Sequence, residues 1–87
     1  MVWTIEYEAA ARKQLRKIGG APSARIIGGL EKIAELTDPR SRAKAMAAEW
    51  FGYWRFRFDN FRVIAQIEDD RLIILVIAVG HRSKVYR

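Results

Sequence analysis

Residues 53–67 read YWRFRFDNFRVIAQI. Apolar and basic side chains alternate on either side of Asp59-Asn60. Alternation is the mark of a half-buried strand, and Asp and Asn tolerate the left-handed backbone of a tight turn. The stretch therefore predicts a β-hairpin with strands at residues 53–58 and 61–67. A two-residue turn fixes the register. Phe58 then faces Phe61, Arg57 faces Arg62, Phe56 faces Val63, and Arg55 faces Ile64. Trp54, Phe56, Phe58, Phe61, Val63 and Ala65 share the face that meets the core. Tyr53, Arg55, Arg57, Arg62 and Ile64 share the other. Opposed like charges destabilise a strand pair by a few tenths of a kcal/mol up to about 1. Long arginine side chains can splay into water and reduce that cost. Three of them clustered on one sheet face point instead to a site for phosphate, where a bound anion offsets the repulsion.

Outward from the hairpin, Asp69-Asp70 predicts a second turn, and residues 71–79 a third strand. Its nearly continuous apolar run predicts a central position covered on both faces, ended by Gly80. Upstream, residues 2–7 alternate and predict a strand. Residues 8–18 predict a helix, with Ala11, Leu15 and Ile18 on one side and Arg12, Lys13, Arg16 and Lys17 on the others. Gly19-Gly20 stops it. A second helix starts at Pro22 and Ser23, carries Ile26, Ile27, Leu30, Ile33 and Ala34 as its apolar stripe, and ends at Thr37-Asp38-Pro39. Gly28-Gly29 lies within that stripe at about 1 kcal/mol per glycine relative to alanine. That suggests close approach by another element. Residues 40–52 predict a basic connection containing Arg40, Arg42 and Lys44, with room for a short strand. The expected architecture is α+β: an N-terminal strand, a two-helix hairpin and an antiparallel β-meander, in one domain over residues 1–87.

The chain has 87 residues, no cysteine and one histidine, with a net charge of +6. Those counts exclude a disulfide scaffold and a thiol nucleophile, and leave no expected metal site or cofactor. The start MVWTIEYE lacks the pattern of a signal peptide, and the run IILVIAV is too short for a bilayer, so a cytoplasmic protein with no membrane partner is expected. Arginine supplies 11 of the 16 basic residues. Its flat fork of donors suits phosphate and stacks on bases, so the charge points to a polyanionic partner. Arg12, Lys13, Arg16, Lys17, Arg40, Arg42, Lys44, Lys84 and Arg87 are the candidate cations for contacting such a polyanion, RNA among them.

The run YWRFRFDNFRVIAQIEDDRLIILVIAVGHR with the terminal SKVYR resembles the RelE/ParE superfamily of toxins from bacterial and archaeal toxin–antitoxin systems. The resemblance covers nearly the whole chain. It rests most on the aromatic/basic strand, the turn with FRVI, and the VGHR…VY ending. It is most similar to the RelE branch and implies a RelE-like fold and a ribosome-dependent endoribonuclease that cuts messenger RNA in the decoding site. By that resemblance a 2′-hydroxyl attacks the adjacent phosphate without a metal, leaving a 2′,3′-cyclic phosphate. The family's functional positions fall on Arg55 and Arg57 before the turn, Arg62 on the return strand, Arg82, and Tyr86. Arg62 and Arg82 would stabilise phosphate charge, and Tyr86 would stack on a base. The family's lysines are replaced here by Arg55 and Arg57, and arginine does not give up its proton. His81, with an ordinary pKa near 7, is therefore the candidate general base, with Glu49 a second candidate. The resemblance also implies three partners: a small cognate antitoxin (RelB-like or related), mRNA on the ribosome, and operator DNA through the toxin–antitoxin complex. Two other readings are a ParE-like toxin that poisons DNA gyrase without cutting RNA, and a non-catalytic basic module that binds RNA or DNA.

Overall fold

The computed structural model of the protein describes residues 2–81. Arg82, Lys84, Tyr86 and Arg87 lie outside the described residues. The described chain runs through β1 (Thr4–Tyr7), α1 (Ala9–Ile18), α2 (Gly20–Ile33), β2 (Lys44–Ala45), β3 (Trp54–Phe58), β4 (Phe61–Glu68) and β5 (Ile73–His81). The strands form one sheet in the order β1-β5-β4-β3-β2. β2 to β5 are antiparallel, whereas β1 lies parallel to β5, with Thr4 beside Ile73 and Tyr7 beside Val76. The α+β architecture is thus a mixed sheet, because β1 closes the free side of β5. The short strand expected between residues 40 and 52 is β2.

The hairpin register is the one the turn predicts, from Phe58 beside Phe61 to Arg55 beside Ile64. Asp59 takes a left-handed φ of 54°, which an Asp accepts more readily than most residues. The next connection differs from expectation. It spans four residues rather than two, because Leu72 also turns left-handed at φ 54° and Glu68 pairs with Ile73. β5 therefore starts two residues later than predicted. A register shift between Ile64 and Ala65 then skips Ile77, so Ile74, Val76 and Val79 all reach the core.

The core lies between the helices and one sheet face. Ala11 and Leu15 of α1 and Ile26, Leu30 and Ile33 of α2 pack against Phe56, Val63, Ala65, Ile74, Val76 and Val79. β5 is interior, but β4 holds the middle of the sheet. Expected cover on both faces of β5 is only partly present: Ile73 is buried, while Leu75 and Ile77 are half-buried. Past the end of β1, Gln14 of α1 reaches β5, and its Oε1 accepts the Val79 N–H at 2.7 Å.

The helix junction is tight. Gly19 adopts φ 63° and its N–H returns to the Leu15 carbonyl at 2.9 Å. α2 begins at once at Gly20, two residues before the predicted start. Pro22 then sits in the first turn, where a missing N–H has no helical partner to lose.

Gly29 explains the glycine pair. A β-carbon there would collide with the Phe58 ring, coming within 2.8 Å of its Cδ1, whereas one at Gly28 would meet nothing within 4 Å. Gly29 thus lets α2 press onto the hairpin end, and Gly28 only forgoes helix propensity. Arg25 adds an exposed ion pair to Asp59 of the turn at 3.0 Å.

Arg40 fixes the long connection to the sheet. Its guanidinium makes a two-pronged contact with Asp69, at 3.1 and 2.6 Å, and a third bond to Asp38 at 3.2 Å. It also lies 5.6 Å from the Trp54 ring centroid. The Asp69 hydrogen bond, helped by Asp38, raises its pKa above the ordinary arginine value. Arg40 therefore stays charged throughout any usable pH range.

Two expectations follow. Gly29→Ala should destabilise the protein by about 1–2 kcal/mol through overpacking, whereas Gly28→Ala should stabilise it by up to about 1 kcal/mol. Thermal unfolding of the two variants reads this difference directly, and equal shifts would contradict the packing account. Arg40→Ala should lower stability by about 1 kcal/mol, since its partners are partly solvated. Melting curves at low and high salt should show that loss shrinking as salt rises.

Candidate functional site

Strand alternation and burial divide the hairpin into two chemically opposite faces. Phe56 and Val63 are fully buried beneath the helices, so their neighbours Arg55, Arg57 and Arg62 must emerge on the far side of the sheet. There the pairing forms two rows. Lys44, Arg55, Ile64 and Ala78 lie side by side across β2, β3, β4 and β5. Arg57, Arg62 and Gly80 form the next row. Adjacent side chains in such rows start about 5 Å apart at Cβ. Four cations thus share one patch, and Gly80 leaves its inner side without a side chain.

The environments of these cations differ. Arg57 is exposed, while Arg55 and Arg62 are half-buried. The Nη1 of Arg62 lies below the surface. Ile64, between Arg55 and Ala78, is fully buried and gives the patch an apolar floor. A floor of this kind excludes water and strengthens the field of nearby guanidinium groups. The patch can attract and orient a phosphate diester. Among the described residues that form it, none has an ordinary pKa near 7 with which to accept a proton.

His81 does not join it. His81 pairs with Phe61, and the two rings meet edge to face at 5.9 Å between centroids. Alternation therefore puts His81 on the Phe61 face, across the sheet from Arg57 and Arg62. An ordinary pKa near 7 makes His81 the expected general base, which requires it to lie beside the cluster. The pleat reverses that inference. Glu49 does approach the patch, since it lines the same hollow as Arg55.

The remaining predicted cations fall into separate groups. Arg12, Lys13, Arg16 and Lys17 are exposed on α1, in the helix layer on the opposite side of the sheet. Arg12 and Arg16 rim a groove of about 630 Å³ between the helices, whose walls include Tyr7, Leu15 and Ile27. Burial and the neighbouring Glu31 raise the pKa of Tyr7 there. Arg40 is not an open phosphate contact, because two carboxylates and an indole hold it. Arg42 is exposed at the end of the 3-10 turn Pro39–Arg42. Lys44 alone of the connecting cations joins the hairpin arginines. Its place opposite Arg55 depends on β2, whose two residues are too few to leave a strand pattern in the sequence. Among the described residues no cluster of three or more His, Asp or Glu could hold a metal ion, and no helix is long and apolar enough to cross a membrane.

Comparison with known proteins agrees with this architecture. Toxin RelG of Mycobacterium tuberculosis (strain ATCC 25618 / H37Rv) is 26% identical over 90 residues, covering 100% of this chain and 99% of RelG. The mRNA interferase toxin RelE of Escherichia coli (strain K12) is 27% identical over 89 residues, covering 99% of this chain and 92% of RelE. The fold resembles that in the RelBE2 toxin–antitoxin complex from Mycobacterium tuberculosis, with TM-score 0.86, 20% identity, and coverage of 97% of this chain and 95% of that one. It also resembles the isolated E. coli RelE toxin, with TM-score 0.74, 22% identity, and coverage of 97% and 90%. A family model described as the ParE toxin of type II toxin–antitoxin systems, parDE, matches residues 5–86. The chain therefore belongs to the RelE/ParE family of type II toxin–antitoxin toxins.

Proposed function

We propose that this toxin cuts messenger RNA on the ribosome; the E. coli relative carries the name mRNA interferase. The observation that carries the reading is the Lys44, Arg55, Arg57 and Arg62 patch, built by strand register on the face away from the helices. In the proposed step the 2′-oxygen of one nucleotide bonds to the adjacent phosphorus, and the bond from phosphorus to the 5′-oxygen breaks. The 2′-hydroxyl proton passes to solvent water and the departing 5′-oxygen takes one from water, which gives a 2′,3′-cyclic phosphate and a free 5′-hydroxyl. Negative charge gathers on the non-bridging oxygens as the reaction proceeds. Arg62, with Arg82 beyond the described residues, supplies fixed positive charge for it. Arg55 and Arg57 position the backbone, and Tyr86 stacks on a base. Arginine remains protonated, so catalysis here is positioning and electrostatic stabilisation rather than proton abstraction by Arg57.

A small antitoxin from the same system would neutralise the toxin, and the pair would bind operator DNA. The exposed cations of α1 and the groove beside them suit an acidic amphipathic segment. The ParE name of the matching family supports one competing reading, in which the target is DNA gyrase and RNA is untouched. The arginine patch favours RNA, because gyrase binding does not call for it.

The decisive assay is a translation extract programmed with a defined message, with cleavage mapped in the presence and absence of ribosomes. Cutting should require ribosomes. Arg62→Ala should slow it about 100- to 1,000-fold, the range seen when one transition-state donor is removed. Its melting temperature should stay near that of the parent. Intact growth arrest by Arg62→Ala, or no cutting at all, would transfer the case to gyrase. His81→Ala, by contrast, should change the cleavage rate less than about threefold, because its ring faces the other side.

A further inference from the structure

The loop between β2 and β3 has no role in the proposal above, yet its geometry is specific. Four backbone hydrogen bonds close it: Met46 N–H to Tyr53, Trp50 to Ala47, Phe51 to Ala48, and Tyr53 to Trp50, all between 3.0 and 3.1 Å. Ala48 and Gly52 bracket the turn with left-handed φ angles of 56° and 96°. A left-handed alanine is strained, and such strain gathers at ligand-contacting sites. The loop uses this conformation to present two aromatic residues. Phe51 is 82% exposed, against the usual placement of phenylalanine. Trp50 is braced edge-on by Tyr53, with centroids 5.6 Å apart.

Beneath the loop is a hollow of about 360 Å³ lined by Ala45, Met46, Ala47, Glu49, Trp50 and Arg55. Its alanines leave room, Trp50 gives it a flat wall, and Arg55 makes it continuous with the cationic patch. We propose that this hollow seats one base of a single-stranded RNA, with Trp50 as the wall on which it stacks, the exposed ring of the neighbouring Phe51 outside the hollow taking the base that follows, and Arg55 and Lys44 holding the adjoining phosphate. The inference rests on the RNA reading of the arginine patch. Charge sets the direction of the strand. Glu49 repels phosphate, so the backbone runs on the Lys44–Arg55 side and the base points toward Glu49. A carboxylate only accepts hydrogen bonds, so Glu49 favours a base edge that offers N–H donors. Aromatic stacking of unpaired bases is the usual grip on single-stranded RNA.

The test uses ribosomes programmed with a message whose decoding-site codon carries 2-aminopurine and cleavage-blocking 2′-O-methyl groups. Stacking quenches this probe, so parent toxin should quench it. Phe51→Ala and Trp50→Ala should reduce the quench and weaken toxin binding about 5- to 100-fold, with Phe51→Tyr retaining both. On unmodified message, Phe51→Ala should raise the ribosome concentration giving half-maximal rate about 5- to 100-fold. Absence of quenching by the parent, or equal quenching and binding by Phe51→Ala, overturns the base seat even if cleavage proceeds. Quenching without any cleavage of unmodified message would retain the seat and refute the nuclease reading. If Phe51→Ala loses affinity only for antitoxin, the loop is a protein contact and the proposal fails.

Discussion

The two-residue turn at Asp59-Asn60 is the constraint on which the remaining structure depends. It sets Arg57 against Arg62, an arrangement that electrostatics alone would disperse. What enforces it is the other face of the same strands. Phe56 and Val63 are fully buried, and a slip of one residue would exchange them for arginines. Burying a charge without a partner costs far more than the few tenths to about 1 kcal/mol of cross-strand repulsion. Hydrophobic burial therefore holds the cations together, and no attraction among them is needed. Gly29 and Arg25 extend the control to the turn itself, by letting α2 close on Phe58 and by tying Asp59 down.

This division of labour separates two charged surfaces. The hairpin patch faces away from the helices, while the cations of α1 face outward from the helix layer. The sheet lies between them, so a single short anionic strand cannot cover both. The patch suits a nucleic-acid backbone, which presents phosphates at regular intervals. The helical cations flank an apolar groove, which suits a polypeptide with acidic and apolar residues.

The hairpin, its register and both helices were legible in the sequence because local signals agreed there: alternation, helical spacing and turn residues. Where such signals were weak, reading failed. Nothing in residues 2–7 reveals a parallel partner, since parallel pairing depends on distant chain. Leu72 carries no mark of a left-handed residue, so the four-residue turn looked like two. Arg40 read as one more surface cation because its partners lie 2 and 29 positions away. His81 is the side chain whose ordinary pKa near 7 suits a general base, yet its pairing with Phe61 puts it on the other face of the sheet. Proximity in sequence is the wrong metric for a sheet face. The pairing of Lys44 with Arg55, separated by the whole aromatic loop, illustrates the converse.

A patch made of guanidinium groups has a further consequence for mechanism. Permanent cations lower the energy of a phosphorane-like transition state, but they cannot take the proton of the attacking hydroxyl. They also cannot by themselves bend a flexible RNA strand into line for attack. Free single-stranded RNA adopts many backbone conformations, and selecting one costs entropy for every nucleotide ordered. On the reading proposed above, the ribosome has already met that cost, because it holds the message in a defined path. A small toxin then needs only to add charge at the right phosphate and a surface against which one base can rest. Such economy fits a chain of 87 residues, which has little stability to spare for building a self-sufficient active site.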